Sequence, residues 1–307
     1  MSATGRYAPS PTGALHLGNL RTALLAWLFA RSQGAPLLLR IEDLDRGRVR
    51  PGIAGAQLAD LGAIGLDWDG PVARQSERIE LYDDALARLD AAGQLYSCYC
   101  TRAEIREAAS APHGPHAHGA YPGTCRELTA ARLAEHERSG RPPALRVRGK
   151  ATCVSFEDRL LGSRQGVVDD VVVRRNDGVH AYNLAVVVDD AAQGVGEVVR
   201  GADLLETTPR QLHLGALLGL PAPVHAHVPL VLGADGARLA KRHGAVTLAE
   251  RRAAGESARQ TRARLAASIG LAQPGETPSM RELLQRFDPA RLPREPTVLD
   301  PATTWAS

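Results

Sequence analysis

The chain has 307 residues, 44% hydrophobic and 23% charged, with a formal net charge of +3. This is the balance of an ordinary soluble globular protein with one large domain or two modest ones. No apolar run approaches the roughly 20 residues of a membrane helix, and "MSATGRYAPS" lacks the charged-then-apolar signal pattern, so a cytoplasmic address without a membrane partner is expected.

Residues 5–8 read as a strand, followed by a turn at "PSPTG". "NLRTALLAWLFARSQG" places Leu20, Ala23, Leu24, Trp27, Leu28 and Ala30 at helical spacing, with Gly34 as a stop. "PLLLRIED" is a continuous apolar run suited to a buried parallel strand. Helical patterns follow in "GIAGAQLADLGAIGL" and "RIELYDDALARLDAAG". This alternation predicts an α/β doubly wound parallel sheet.

From Tyr96 to about Arg141 the chain carries three cysteines and the loop "SAPHGPHAHGAYPGTC". "ALRVRG", "CVSFEDRL" and "GVVDDVVVRRNDGVHAYNLAVVVDD" then alternate like antiparallel strands with a tight "NDG" turn. The α/β pattern resumes with a strand and a Thr-capped helix in "GVGEVVRGADLLETTPRQLHLGALLGL". The expected organisation is a first α/β half at 1–95, an inserted α+β module at 96–180, a second α/β half at 181–249 and a short helical appendage at 250–307. From residue 251 onward the chain has nine arginines, no lysine and six acids; the acids dilute it as an RNA-binding tail.

A strand that passes through a Gly/Pro turn into a helix N-terminus forms an anion site, because unpaired N–H groups and the helix dipole point outward. Gly13 and Gly18 let the backbone approach a phosphate, and His16 can donate to its oxygens. Of the 37 basic residues 35 are arginine; only Lys150 and Lys241 are lysine. A lysine that survives such a bias marks a place where a compact, mobile ammonium suits better than a planar fork. Lys241 stands in the polar loop "RLAKRHGA", where it can follow charge building on a leaving pyrophosphate.

Together these segments resemble class I aminoacyl-tRNA synthetases: "HLGN" stands at the His-x-Gly-His motif and "RLAKR" at the Lys-Met-Ser-Lys-Ser loop. "GRYAPSPTGALHLGNLRTAL", "LRIEDLDRGR", "HAYNLAVVVDD", "VVRGADLLETTPRQ" and "RLAKRHGAV" narrow the resemblance to the glutamyl branch, over residues 5 to about 249. A full glutamyl-tRNA synthetase continues into a large helical domain that reads the anticodon. Here residues 250–307 follow, which is similar to the truncated paralogues, the glutamyl-Q tRNA(Asp) synthetases.

The resemblance implies a Rossmann-like catalytic domain that activates L-glutamate with ATP and Mg²⁺ without tRNA. It implies transfer of the glutamate to the queuosine base at the wobble position, with the anticodon loop of tRNA(Asp) as partner and a monomer as the working unit. It assigns glutamate to Arg6, Tyr7, Ala8, Pro9, Ser10, Glu42, Tyr182 and Arg200, with Glu42 receiving the α-amino group. Bidentate arginines suit carboxylates, and which arginine takes which carboxylate stays open. ATP falls to His16, Gly18, Asn19 and Lys241, with His16 and Lys241 catalytic. Asn19 replaces the motif's second histidine, and Ala240 replaces a serine, which removes one hydroxyl near the phosphates. Two other readings are a truncated synthetase that charges a tRNA 3′ end and a non-catalytic glutamate- or RNA-binding descendant.

In a cytosolic chain, grouped cysteines point to metal before disulfide. Cys98, Cys100 and Cys125 supply three thiolates. The resemblance gives one structural Zn²⁺ with Tyr121 as fourth ligand, and His113, His116 and His118 are rivals on general coordination grounds. Cys153, inside an apolar alternation, is expected in the core.

Overall fold

The computed structural model describes residues 3–101, 103–105, 121–237, 239 and 243–298. In chain order it begins β1 (Gly5–Tyr7), α1 (Leu17–Ser32), β2 (Leu37–Ile41), α2 (Ile53–Ala63), β3 (Ala73–Arg74), α3 (Ile79–Ala91) and β4 (Leu95–Cys98). Next come α4 (Ala130–Arg138), β5 (Ala144–Val147), β6 (Thr152–Asp158), β7 (Gly162–Val168), β8 (Val171–Arg174) and α5 (Tyr182–Ala192). Then come β9 (Glu197–Gly201), α6 (Thr208–Leu217), β10 (Val224–Val228) and β11 (Val231–Leu232). The end holds α7 (Leu248–Ala253), α8 (Ala258–Ala267), α9 (Met280–Arg286) and β12 (Thr297–Val298).

Seven strands form the main sheet in the order β3-β2-β1-β9-β10-β6-β7, parallel except for the β6–β7 hairpin. The doubly wound sheet is therefore as expected. Its strand order reverses between β1 and β9, so the crevice at their carboxyl ends is where such folds bind ligands. Helix α1 is buried on almost every side, from Leu17 to Ala30. It lies within one core with the sheet strands and the C-terminal helices, which include Leu265, Leu283 and Phe287. Such all-round burial explains why its sequence carries more than one apolar stripe.

Strands β4, β5 and β8 form a separate antiparallel sheet. Strands β6 and β7, though also within 96–180, join the main sheet where β6 pairs with β10 at Asp158 and His225.

Three expectations need correction. "YNLAVVVDDAA" is a helix, not a strand. Its three valines favour a strand locally, yet Leu184, Ala185 and Val188 pack on a core with α3 and α6 residues, and tertiary burial overrides propensity. Cys153 is exposed, because β6 turns Val154 and Phe156 inward and Cys153, Ser155 and Glu157 outward. Thr207 stands before α6 but makes no side-chain cap.

Candidate active site

Three adjacent strands, β2, β1 and β9, and the turns after them bring side chains to one cavity of about 660 Å³. Glu42 follows β2, Arg6 lies on β1 and Arg200 on β9, while His227 on β10 backs Arg200. The main-chain N–H of Glu42 donates to Pro9 O at 3.0 Å, which joins the turns after β1 and β2. Residues 6 to 10, Glu42, Tyr182 and Arg200 line one part of the cavity, with His16, Gly18 and Asn19 on the same wall system. The residues expected to hold glutamate and nucleotide are thus brought together. Lys241, with Ala240, lies outside the described residues.

His16 caps α1. Its Nδ1 accepts from Asn19 N at 3.2 Å, and Asn19 Oδ1 accepts from His16 N at 3.2 Å. An accepting Nδ1 leaves the ring proton of the neutral histidine on Nε2, a donor at a helix N-terminus. A Cβ at Gly18 would sit 3.0 Å from His16 Cε1, so glycine there makes room for the ring. A Cβ at Gly13 would meet nothing within 4 Å. Buried Gln57 on α2 holds the preceding turn by donating to Ser10 O and Gly13 O at 3.0 and 2.8 Å. Tyr7 supports the same helix start through its hydroxyl, which donates to Asn19 O at 3.2 Å.

Arg6 and Arg200 are each about 5% exposed and held by different relays. Arg6 Nε lies 3.4 Å from Asp190 Oδ1, and its Nη1 donates to Val199 O. Arg40, fully buried on β2, donates to the same Asp190 oxygen at 2.7 Å and lies 3.6 Å from Glu42. Burial opposes charge on Arg40, but Asp190, Glu42 and Asp189 outweigh it and keep the guanidinium ionised. Asp189 accepts from Arg78, Tyr82 and Gln75. The two acids that end the "VVVDD" helix therefore anchor the arginines of β1 and β2.

Arg200 donates to His227 Nε2 at 3.1 Å, Gln211 Oε1 at 2.6 Å and Thr208 Oγ1 at 2.7 Å. His227 Nδ1 meets Asp158 Oδ2 at 2.6 Å, so Asp158 sets the tautomer that accepts from Arg200. Burial pushes His227 down, which keeps its accepting nitrogen unprotonated.

Glu42 is raised to about 7: burial is the main cause, and Arg40 and Arg6 only partly offset it. Tyr182 borders the cavity 37% exposed, and its phenol is raised by desolvation and by Glu42. A cation arriving beside such a carboxyl favours its ionised form.

None of Asp158, Asp189, Asp190, Arg40, Gln57 and His227 was singled out from the sequence. A charge inside an apolar run, as with Arg40 in "LLLRI", is the one local signal for them.

Cys98, Cys100 and Cys125 place their sulfurs within 4.8 Å of one another. Tyr121 Oη lies 3.4 Å from Cys98 Sγ and 3.8 Å from Cys100 Sγ, and Cys100 and Cys125 are 3.4 Å apart. A tetrahedral zinc with bonds of about 2.3 Å has donors about 3.8 Å apart, so this cluster fits a metal ion. Burial raises Cys100 to about 12 and Tyr121 further, so a bound cation has to hold them deprotonated. The Arg146 guanidinium stacks 3.7 Å above the Tyr121 ring. His113, His116 and His118 lie outside the described residues.

The family model for tRNA synthetases class I (E and Q), catalytic domain, matches residues 3–296. A glutamyl-Q tRNA(Asp) synthetase of Nocardia farcinica is 64% identical over 96% of this chain and 92% of its own length. This chain belongs to the glutamyl-Q tRNA(Asp) synthetase family. A second member of the family, from Symbiobacterium thermophilum, is 53% identical over 99% of this chain and 97% of its own. Among solved structures, a glutamate tRNA ligase of Elizabethkingia meningosepticum in complex with its amino acid superposes with a TM-score of 0.82. It is 27% identical, over 97% of this chain and 67% of that one. The glutamate-tRNA synthetase of Elizabethkingia anophelis gives 0.84 at 27% identity, over 98% and 68% of the two chains. The family's class I catalytic fold is the fold described above.

Proposed function

We propose that this chain activates L-glutamate with ATP, without tRNA, and transfers it to the queuosine base at the wobble position of tRNA(Asp). The observation that carries this reading is the convergence of Glu42, Arg200, Arg6 and Tyr182 on a cavity that also contains the His16 helix start. Glutamate brings one ammonium and two carboxylates, and the wall offers one acid, two arginines and a phenol. Glu42 takes the ammonium; the arginines and the Ser10 and Tyr182 hydroxyls serve the carboxylates, over a floor of Tyr7, Ala8 and Pro9.

The glutamate α-carboxylate attacks the α-phosphorus of ATP, the bond to the bridging oxygen breaks, and pyrophosphate leaves with the electron pair. His16 Nε2–H and the α1 N-terminus, with Gly18 and Asn19, hold the phosphates, and Lys241 neutralises charge as it builds. Mg²⁺ accompanies the ATP. In the second step a ring hydroxyl of queuosine attacks the acyl carbon. AMP leaves with the bonding pair, and the hydroxyl proton passes to solvent.

Cys98, Cys100, Tyr121 and Cys125 hold one structural zinc ion, whose role is to fix an excursion with little hydrophobic core of its own. The working unit is a cytoplasmic monomer; among the described residues no helix is long and apolar enough to cross a membrane.

Nucleoside mass analysis tests the reading. Queuosine-containing tRNA(Asp) incubated with the protein, ATP and labelled glutamate should yield glutamyl-queuosine. Label found only on the 3′-terminal adenosine would favour a synthetase that charges the acceptor end, and no label would favour a binding protein.

A further inference from the structure

Arg21 is 1% exposed on α1, a helix of buried leucines and alanines. Its Nη2 donates to Pro229 O at 2.5 Å. Among the described residues its Nε and Nη1 have no hydrogen-bond partner. Burial pushes the guanidinium down to about 10, and among the described residues no carboxylate offsets the cost. Buried Arg6, Arg40, Arg251 and Arg264 each pair with an acid. A buried cation with one neutral acceptor and two idle nitrogens destabilises a fold. An apolar side chain of similar volume suits such surroundings better. Stability therefore does not explain the arginine, and its one bond is where a use for it lies.

That bond holds the first of three successive carbonyls. Pro229 O accepts from Arg21, Leu230 O from the N–H of Thr297 at 2.9 Å, and Val231 O from the N–H of Leu239 at 3.3 Å. Thr297 opens β12, which pairs in parallel with β11. Pro229, Leu230, Val231 and Leu239 all line the cavity of about 660 Å³, whereas Arg21 does not. A Cβ at Gly18 would stand 3.4 Å from Val231 Cβ, so this wall packs on the turn that carries His16. Leu239 stands two residues before Lys241 in the sequence. Helix α1, the C-terminal strand and the approach to the lysine loop thus meet on three consecutive peptide groups.

We infer that Arg21 is a positioning residue for the nucleotide: by gripping Pro229 O it sets the 229–231 wall of the cavity and, through Val231 O, the start of the lysine loop. Strand β12 holds the same wall through Leu230 O. This inference rests on the function proposed above. His16 caps α1 and Arg21 lies within it, so one rigid helix spaces the histidine turn from the wall that leads to the lysine.

The test compares the full wild-type chain with Arg21→Met, which keeps an apolar stem and removes the donors, and with Thr297→Pro, which removes the N–H given to Leu230 O. In glutamate-dependent ATP–pyrophosphate exchange, kcat/KM for ATP should fall at least about tenfold in Arg21→Met, within the scale of a small misplacement of reacting groups. It should fall several-fold in Thr297→Pro. The KM for glutamate should stay within about twofold of wild type in both. Arg21→Met should melt no more than about 5 °C below wild type, because the uncompensated cation is gone.

A folded Arg21→Met with unchanged kcat/KM for ATP would overturn the assignment, and so would equal losses for ATP and glutamate. An Arg21→Met chain that fails to fold or melts far below wild type would make Arg21 a structural residue and overturn it as well. Wild-type ATP kinetics in Thr297→Pro would overturn the part given to the C-terminal strand. A wild-type protein that performs no exchange would count against the underlying function, a result distinct from any of these.

Discussion

The main-chain N–H of Leu17 donates to Val246 O at 2.8 Å, across more than two hundred residues of chain. The bond lies next to a β-bridge between His16 and Thr247. The histidine turn is therefore fastened, backbone to backbone, to the segment that follows the lysine loop. The segment downstream of the lysine loop is thus anchored on the turn that carries His16.

Thr247 also caps α7: its side chain accepts from Glu250 N, and Glu250 reaches back to Thr247 N at 2.9 Å. Thr247→Val should cost about 1 kcal/mol, the usual worth of such a cap, in urea unfolding. It should also raise the KM for ATP several-fold while leaving the KM for glutamate near wild type. Equal changes in both constants would show that the anchor is not specific to the nucleotide end.

The role proposed for Glu42 makes glutamate binding sensitive to pH. In the substrate-free protein its carboxyl is raised to about 7, so below that pH it is mostly neutral and cannot pair with the ammonium. kcat/KM for glutamate should fall on the acid side of about 7, approaching tenfold per pH unit; a flat profile from pH 6 to 8 would contradict the role. For stability the sign is the reverse of a normal salt-bridged acid. The folded state keeps this proton up to about 7 while the unfolded chain releases it near 4.5, so Glu42 lowers stability as pH rises through that window. Glu42→Gln should remove a cost on the order of 3 kcal/mol at pH 8, and it should also abolish most activity.

Asp190 serves two arginines at once, Arg6 at 3.4 Å and Arg40 at 2.7 Å. Removal of one partner from a buried pair leaves an uncompensated charge, so Asp190→Asn should destabilise by about 3–5 kcal/mol. At temperatures where the variant stays folded, its KM for glutamate should rise more than its kcat falls, because Arg6 loses its orientation. Wild-type stability in denaturant would contradict this.

The strand, Gly/Pro turn and helix of residues 5–32 carry their own punctuation and were legible from local pattern. Arg6, Glu42, Tyr182 and Arg200 were singled out only by the family motifs they sit in, and they line one cavity. Partnerships between distant segments left no such trace. Asp158, His227 and Arg200 come from three strands, and only sheet order brings them together. The valine run of α5 reads as a strand because β-branched residues favour one, and burial against α3 and α6 decides otherwise. Cys153 was misplaced by phase: the alternation in β6 is real, but its inward residues are Val154 and Phe156.

None of Cys98, Cys100, Tyr121 and Cys125 lines the cavity proposed to hold glutamate, so the proposed zinc should be separable from activation. Cys125→Ser should lower bound zinc below one per chain by elemental analysis and raise amide hydrogen exchange in residues 98–105 and 121–128. ATP–pyrophosphate exchange should change no more than several-fold. Unchanged protection with no metal in the wild type would dismiss a structural zinc.

The most direct test of the central claim, a glutamate-and-ATP site shared between the His16 turn and the lysine loop, is ATP–pyrophosphate exchange with glutamate and no RNA. Wild type should exchange, and Lys241→Ala should lose about 10²–10³-fold, the scale for removal of one transition-state charge stabiliser, while keeping its circular dichroism spectrum. Exchange that requires tRNA, or exchange undiminished in Lys241→Ala, would contradict the account.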